Sequence, residues 1–148
     1  MEQVETVIQN QTAVPTARGL ATRLATRHLE REGINPAPLL SRSRLSRAAV
    51  IDGKRISVDA QIQFLELAAL ASNDSWIGLT LAGECDLLEL GMLYYVAASS
   101  HDLGDALKRL SRYVRLGNEA LVVHLKEGSD CSMELPILVC GAIRTGIR

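Results

Sequence analysis

Apolar residues recur at helical spacing along most of the chain and at strand spacing only near its end. Over residues 16–33, four-residue steps separate Leu20, Leu24 and His28, which predicts an amphipathic helix that stops at Gly33. Prolines and an Asp-Gly turn interrupt the stretch that follows, so one or two short helices are expected there.

The clearest helical pattern covers residues 56–72 and has Ser57 at the N-cap position. Apolar side chains occupy almost its whole circumference and leave Asp59, Gln63 and Glu66 as a narrow polar edge. A helix that is apolar on nearly all sides is expected at the centre of the domain.

Three further helices are predicted after this central one. A short helix is expected within residues 73–84, and a longer one within 86–100, where Asp86 and Glu89 have capping-box spacing. Gly91 inside the longer helix predicts a close contact with a neighbouring helix.

The last helix is predicted between the cap residue Asp102 and Gly117. Its buried face is expected to consist of Leu103, Ala106, Leu107, Leu110, Tyr113 and Val114.

The pattern then alternates with a period of two, both in residues 121–126 and, after a turn, in residues 131–135. This alternation predicts an antiparallel hairpin. We therefore expect an α+β fold, mainly helical in the N-terminal two-thirds and ending in an antiparallel β-hairpin or small sheet. Residues 1–15 show no hydrophobic period, which predicts a disordered tail. The domain is expected to cover residues 16–135, and residues 136–148 are expected to form an atypical tail.

With 148 residues the chain has room for one domain, and its 3% aromatic content predicts an aliphatic core. Its start lacks a signal-peptide pattern, and no stretch reaches the roughly 18 apolar residues of a membrane span. Its three cysteines have no C-x-x-C spacing. These features favour a cytoplasmic protein with reduced thiols and no membrane partner.

The net charge of −1 hides an uneven distribution. Residues 16–55 contain nine Lys or Arg against three acids, and residues 56–107 contain eight acids and no Lys or Arg. Either the two segments pack together and neutralise each other, or the basic segment binds nucleic acid weakly. The basic segment has the outline of a helix-turn-helix, but Pro36 and Pro38 fall where the second helix should begin.

The residues show no constellation typical of catalysis or metal binding. His28, His101 and His124 have no ligand spacing, and neither a nucleophile elbow nor a phosphate-binding loop is present. A nucleophilic Cys85 or Cys131 lacks a supporting motif. We therefore expect no enzyme activity, no cofactor and no metal site.

Several ordered motifs carry a family resemblance. They are SVDAQIQFLELAA, the aromatic-Ile-Gly-Leu stretch at Trp76, ELGMLYYVAASS and LGDALKRLSRYVRL. Together they resemble the N-terminal arabinose-binding-type domain of AraC-family bacterial transcription regulators. This resemblance implies an effector-binding and dimerisation module that passes its state to a DNA-binding domain.

That DNA-binding domain would follow the sensor, whereas this chain stops at Arg148. The expectation is therefore a truncated module that binds a small-molecule effector but not DNA, as a homodimer or paired with a full-length relative. A non-functional remnant is the other alternative. Polar-tipped aromatic and imidazole side chains often line pockets, so Trp76, Tyr94, Tyr95 and His101 are candidates for ligand binding.

Overall fold

The structure is a computed structural model that describes residues 14–126 and 132–134. In chain order its elements are β1 (Thr16–Ala17), α1 (Leu20–Arg31), α2 (Ala37–Arg42), α3 (Arg47–Ile51), β2 (Ile56–Ser57), α4 (Val58–Ser72), α5 (Ile77–Glu84), a 3₁₀ helix (Leu87–Leu90), α6 (Met92–Ala98), α7 (Leu103–Gly117), β3 (His124–Lys126) and β4 (Ser132–Glu134). Helices dominate and two small antiparallel ladders accompany them, β1 with β2 and β3 with β4. The α+β prediction is confirmed.

The core lies in the first half of the described chain, where α4 packs against α1, α2 and α5. Phe64 and Ala68 of α4 are fully buried, as are Ala25 and Leu29 of α1. The central position predicted for α4 is confirmed, and the Ser57 hydroxyl caps it by accepting a hydrogen bond from the Ala60 amide. Of the apolar positions around this helix, Leu70 and Ala71 stay exposed.

The N-terminal helix starts later than predicted. Residues Thr16–Ala17 form β1, and Gly19 adopts φ 67°, a conformation that favours glycine, so α1 begins only at Leu20. The main chain before Gly19 is extended because its hydrogen-bonding partners lie far away in sequence: β2 on one side and residues 117–119 on the other. The stop near Gly33 is confirmed, since α1 ends at Arg31.

The single helix predicted over residues 86–100 is wrong. The structure has a 3₁₀ helix and α6 there, separated by Gly91 at φ 60° and ψ −128°. A Cβ built on Gly91 would meet nothing within 4 Å, so no close helix contact explains this glycine. Its backbone conformation does, because side-chain-bearing residues rarely adopt it. Asp86 caps the 3₁₀ helix through the Leu88 amide, while Glu89 pairs with Arg27.

Helix α7 has the predicted cap, since Asp102 accepts a hydrogen bond from the Asp105 amide at 2.8 Å. Its predicted buried face is only partly correct. Leu103 is 74% exposed and Tyr113 43%, whereas the other four residues of that face are half-buried. The reason is that α7 packs mainly on α6 and lies at the edge of the core.

The predicted hairpin is confirmed in the described residues. Strands β3 and β4 are antiparallel, with Leu125 opposite Met133. The remaining predictions for residues 1–13, 127–131 and 135–148 lie outside the described residues.

Candidate functional site

A half-open cleft of about 610 Å³ lies where five segments of the chain meet. We call it the main cleft. Its walls come from the start of α1, the turn after α3, helix α4, the stretch around Gly91, and the end of α7 with the residues that follow. The lining residues are Ala17, Arg18, Gly19, Leu20, Ala21, Arg23, Ile51, Asp52, Gly53, Gln61, Glu89, Leu90, Gly91, Met92, Leu93, Val114, Leu116, Gly117, Asn118 and Leu121.

One wall of the main cleft is fixed by main-chain hydrogen bonds between β1 and the end of α7. The Arg18 amide donates to the Gly117 carbonyl at 2.9 Å, and the Glu119 amide donates to the Thr16 carbonyl at 3.0 Å. Ala17 and Asn118 form an antiparallel bridge between these two bonds. Residues 16–18 and 117–119, which are distant in sequence, therefore form one wall together.

Arg55 and Glu119 stabilise that wall from outside the cleft. Arg55 donates to the Thr16 hydroxyl, the Thr16 carbonyl and the Leu116 carbonyl, and its guanidinium lies 3.0 Å from the Glu119 carboxylate. The Thr16 amide and hydroxyl also donate to Glu119, at 2.8 and 2.9 Å. These hydrogen bonds, with the nearby Arg55 charge, hold the pKa of Glu119 below its ordinary value.

A buried polar pair connects α1 to α4, and one of its members, Gln61, lines the cleft. The Thr22 hydroxyl of α1 lies 3.4 Å from the Gln61 carbonyl oxygen of α4, and both side chains are buried. Within the described residues, no hydrogen-bond partner is found for the Gln61 amide nitrogen, and Gln61 lines the cleft. Sequence reasoning missed Gln61. The available signal was a glutamine three residues before Phe64, on the inner side of an apolar helix.

The charged residues of the lining fall into two groups. Asp52 pairs with Lys54 at 3.3 Å, and Glu89 pairs with Arg27 at 2.7 Å. Arg18 and Arg23 have no carboxylate partner within the part of the chain that the structure describes. Arg23 instead donates through Nη1 to the Arg18 carbonyl at 3.1 Å.

Elsewhere the basic segment is largely neutralised. Arg27 pairs with Glu89, and both Arg31 and the His28 ring contact the Glu84 carboxylate, so α1 is tied to the acidic segment. The predicted pairing of the two oppositely charged segments is confirmed at these contacts. Burial raises the pKa of Glu84, but the hydrogen bonds from His28 and Arg31 outweigh it and leave that pKa below its ordinary value.

Further pairs join Arg47 to Glu30, Lys54 to Asp52, and Arg55 to Glu119. These contacts leave less of the positive charge of residues 16–55 available to a nucleic acid, which weakens the nucleic-acid alternative.

The four candidate ligand residues taken from the sequence do not line the main cleft. Trp76 is 73% exposed in front of α5, where its amide donates to Asp74. The Thr80 hydroxyl donates to the same carboxylate, and these two hydrogen bonds lower the pKa of Asp74.

Of the remaining candidates, Tyr94 and Tyr95 meet edge to face at 5.3 Å on α6. His101 precedes α7, and its amide donates to Asp105 at 3.2 Å. Hydrogen bonds from Arg109 and from this amide lower the pKa of Asp105. Ligand binding by these four residues stays a prediction.

A second groove, of about 620 Å³, lies along α6 and α7 alone. Its residues Asp105 and Arg109 pair with each other at 3.0 Å. Unlike the main cleft, it does not draw on the buried α1–α4 core, so we regard the main cleft as the candidate site. The cysteine that the structure describes, Cys85, places its thiol 3.5 Å from the Asp86 carbonyl.

Across residues 14–126 and 132–134, no group of three or more His, Cys, Asp or Glu side chains is arranged to hold a metal ion. Across the same residues, every helix is too short or too polar to cross a membrane.

Comparison with known proteins identifies the domain. A search of characterised proteins returned no match. A sequence profile of the N-terminal arabinose-binding domain of AraC transcription regulators matches residues 33–141, which is more than half of the 148-residue chain. The match includes α2 to α7 and the β3–β4 hairpin. The chain therefore belongs to the family of arabinose-binding N-terminal domains of AraC transcription regulators.

Proposed function

We propose that the main cleft binds the small-molecule effector of this regulatory domain. The family is one of regulatory ligand-binding domains and not of enzymes. The observation that carries the proposal is a cleft of about 610 Å³ formed jointly by α1, α4, the Gly91 stretch and the end of α7. Ligand pockets usually measure about 300–1,000 Å³ and combine apolar walls with a few polar groups.

Exposed apolar side chains around the cleft support this proposal. Ile51 is 67% exposed, Met92 61% and Leu116 47%, and all three belong to the lining. An effector with an apolar part would cover these side chains and gain roughly 25 cal/mol for each Å² removed from water. The Gln61 amide in the lining would supply a directional contact.

The position of the cleft also suggests how effector binding changes the conformation of the domain. An effector there would contact α1 and α4 of the core together with Leu90 of the 3₁₀ helix, Met92 of α6 and Leu116 of α7, which are less buried. Binding would stabilise one arrangement of these segments over others. This stabilised arrangement would be transmitted to a DNA-binding domain. The protein would act in the cytoplasm.

Thermal melts against a library of metabolites test the proposal. A ligand of the native domain raises its stability by RT ln(1 + [L]/Kd), so the melting temperature should rise and follow this dependence on concentration. The Ala21→Met variant places a longer side chain in the cleft and should remove the effect. The matched control is Ala48→Met on the exposed side of α3. If no compound changes the melting temperature, or if A21M and A48M respond alike, the proposal is wrong.

We also propose that the domain dimerises through α6 and α7. Neither helix has a fully buried side chain, and Tyr95, Leu103 and Tyr113 are exposed. Exposed apolar side chains on two helices that pack on each other are available for an interaction site. Light scattering after size-exclusion chromatography should give the mass of a dimer, and Tyr113→Glu should shift it to a monomer. A wild-type chain that is monomeric at high micromolar concentration would contradict dimerisation without affecting the proposal for the cleft.

A further inference from the structure

The charges of the main cleft do not balance. Its two acids, Asp52 and Glu89, are already paired with Lys54 and Arg27, which are not among the lining residues. Its two arginines, Arg18 and Arg23, have no carboxylate partner within residues 14–126 and 132–134. The lining therefore has two positive charges that no carboxylate of the described residues compensates.

The position of Arg23 is defined by the backbone around it. Its Nη1 donates to the Arg18 carbonyl, and a Cβ built on Gly53 would lie 3.8 Å from the same nitrogen. The guanidinium is thus held between the start of α1 and the turn after α3. A guanidinium has five N–H donors in a planar fork, so donors remain for a bidentate acceptor.

The first turn of α1 adds main-chain donors to the same wall. Gly19, Leu20 and Ala21 line the cleft, and no side chain caps this end of the 12-residue helix. The first amides of a helix have no partner within the helix, and its dipole favours negative charge at this end.

A second and independent observation comes from α4. Gln61 is only 8% exposed and lines the cleft, and its amide nitrogen has no acceptor among the described residues. Every fully enclosed polar side-chain atom in the described part of the chain has a partner, so this nitrogen is not sealed in the core. An amide donor that opens onto a cleft and has no protein partner is available to a bound acceptor. The cleft is the available space for an acceptor.

From these donors we infer that the effector carries a carboxylate on an apolar body. The carboxylate accepts hydrogen bonds from Arg18, Arg23, Gln61 and the first amides of α1. The apolar body lies along the apolar lining residues Leu90, Met92, Val114, Leu116 and Leu121. This inference rests on the proposed function of the cleft and specifies the chemical class of its ligand.

Two pairs of probes test the charge requirement. Octanoate is compared with octanamide, and 3-phenylpropanoate with 3-phenylpropanamide, by isothermal titration calorimetry at neutral pH. Each amide keeps the apolar body of its acid and removes the negative charge. We expect the carboxylates to bind at least about tenfold more tightly than the amides, since hydrogen bonds to charged groups exceed neutral ones by that order.

Substitutions then locate the carboxylate. Arg18→Gln and Arg23→Gln should each weaken carboxylate binding about tenfold or more and weaken amide binding by a smaller factor, because the amide lacks the negative charge. Arg42→Gln is the matched control, because it removes the same charge from an exposed residue that does not line the cleft. Melting curves of the three variants confirm that each is folded.

The outcomes separate this inference from the proposed function. If the amides bind as tightly as the acids and A21M blocks both, the cleft is the ligand site but the carboxylate inference is wrong. If the acids bind and A21M has no effect, the cleft is not their site and the inference is wrong. If none of the four probes binds, an apolar carboxylate is not the ligand, and the metabolite screen alone decides on the cleft.

Discussion

The guanidinium of Arg55 lies 3.0 Å from the carboxylate of Glu119 and joins the segment before β2 to the residues after α7. Both side chains also hold Thr16, which Arg55 contacts through the hydroxyl and carbonyl and Glu119 through the amide and hydroxyl. Three segments distant in sequence therefore converge on one polar cluster. The cluster lies behind the wall of the main cleft. The stability of that wall therefore depends on the ionisation of Glu119.

The Glu119→Gln variant should be less stable than the wild type at neutral pH. Because the folded-state pKa of Glu119 is lowered from 4.5, its contribution is complete above that value and is lost as the pH falls through the lowered pKa. The difference in melting temperature between variant and wild type should therefore be larger at pH 7 than at pH 3. Glu66→Gln, on the exposed side of α4, is the control. An E119Q effect of equal size at both pH values would contradict the role of the charge.

The core around Phe64 should be sensitive to a loss of volume. Phe64 is fully buried, so Phe64→Ala leaves a cavity and is expected to cost about 3–5 kcal/mol of unfolding free energy. Leu70 lies on the same helix and is 79% exposed, so Leu70→Ala should stay within about 0.5 kcal/mol. Chemical denaturation measures both. Equal effects of the two substitutions would mean that α4 does not present Phe64 to the core.

Gly91 should resist substitution for a conformational reason alone. Alanine at φ 60° and ψ −128° is strained, and Gly91→Ala is expected to cost about 1–3 kcal/mol although its Cβ would meet no neighbour. Gly78 lies within α5, where a Cβ also meets nothing, so Gly78→Ala should be neutral or stabilising by up to about 1 kcal/mol. Urea unfolding of the two variants compares them directly. A G91A variant as stable as G78A would argue for a continuous helix through residue 91.

The N-cap residue of α7, Asp102, should tolerate substitution by asparagine but not by alanine. Asp102→Ala removes the acceptor of the Asp105 amide and should cost about 0.5–2 kcal/mol. Asp102→Asn keeps an oxygen at the same position and should retain most of the stability. Thermal unfolding followed by circular dichroism measures both variants. If D102N is as destabilised as D102A, the negative charge matters more than the hydrogen bond.

Features that depend on neighbours in sequence were predictable. Ser57 and Asp102 were identified as caps because a cap bonds to an amide three residues away. The β3–β4 hairpin followed from alternation on both sides of a short turn. The central place of α4 followed from its nearly continuous apolar surface.

Other predictions failed because distant segments decide them. Thr16 and Ala17 fit the helical pattern of α1, yet they are extended because β2 and residues 117–119 supply their hydrogen bonds. Leu103 and Tyr113 have the spacing of a buried face, but how much of α7 is covered depends on where α6 lies. The spacing of apolar residues indicates which face could be buried and not which neighbour is present.

The sequence by itself determined the family, the α+β class, the order of most elements and the absence of a recognisable catalytic motif, since these follow from local pattern and composition. Only the tertiary structure decided that Arg18, Arg23 and Gln61 line one cleft with the end of α7. The physical reason is that hydrogen bonds and ion pairs between remote segments set which side chains are neutralised and which remain available. In this domain Arg55 and Glu119 satisfy each other, while Arg18 and Arg23 face the cleft without a carboxylate among the described residues.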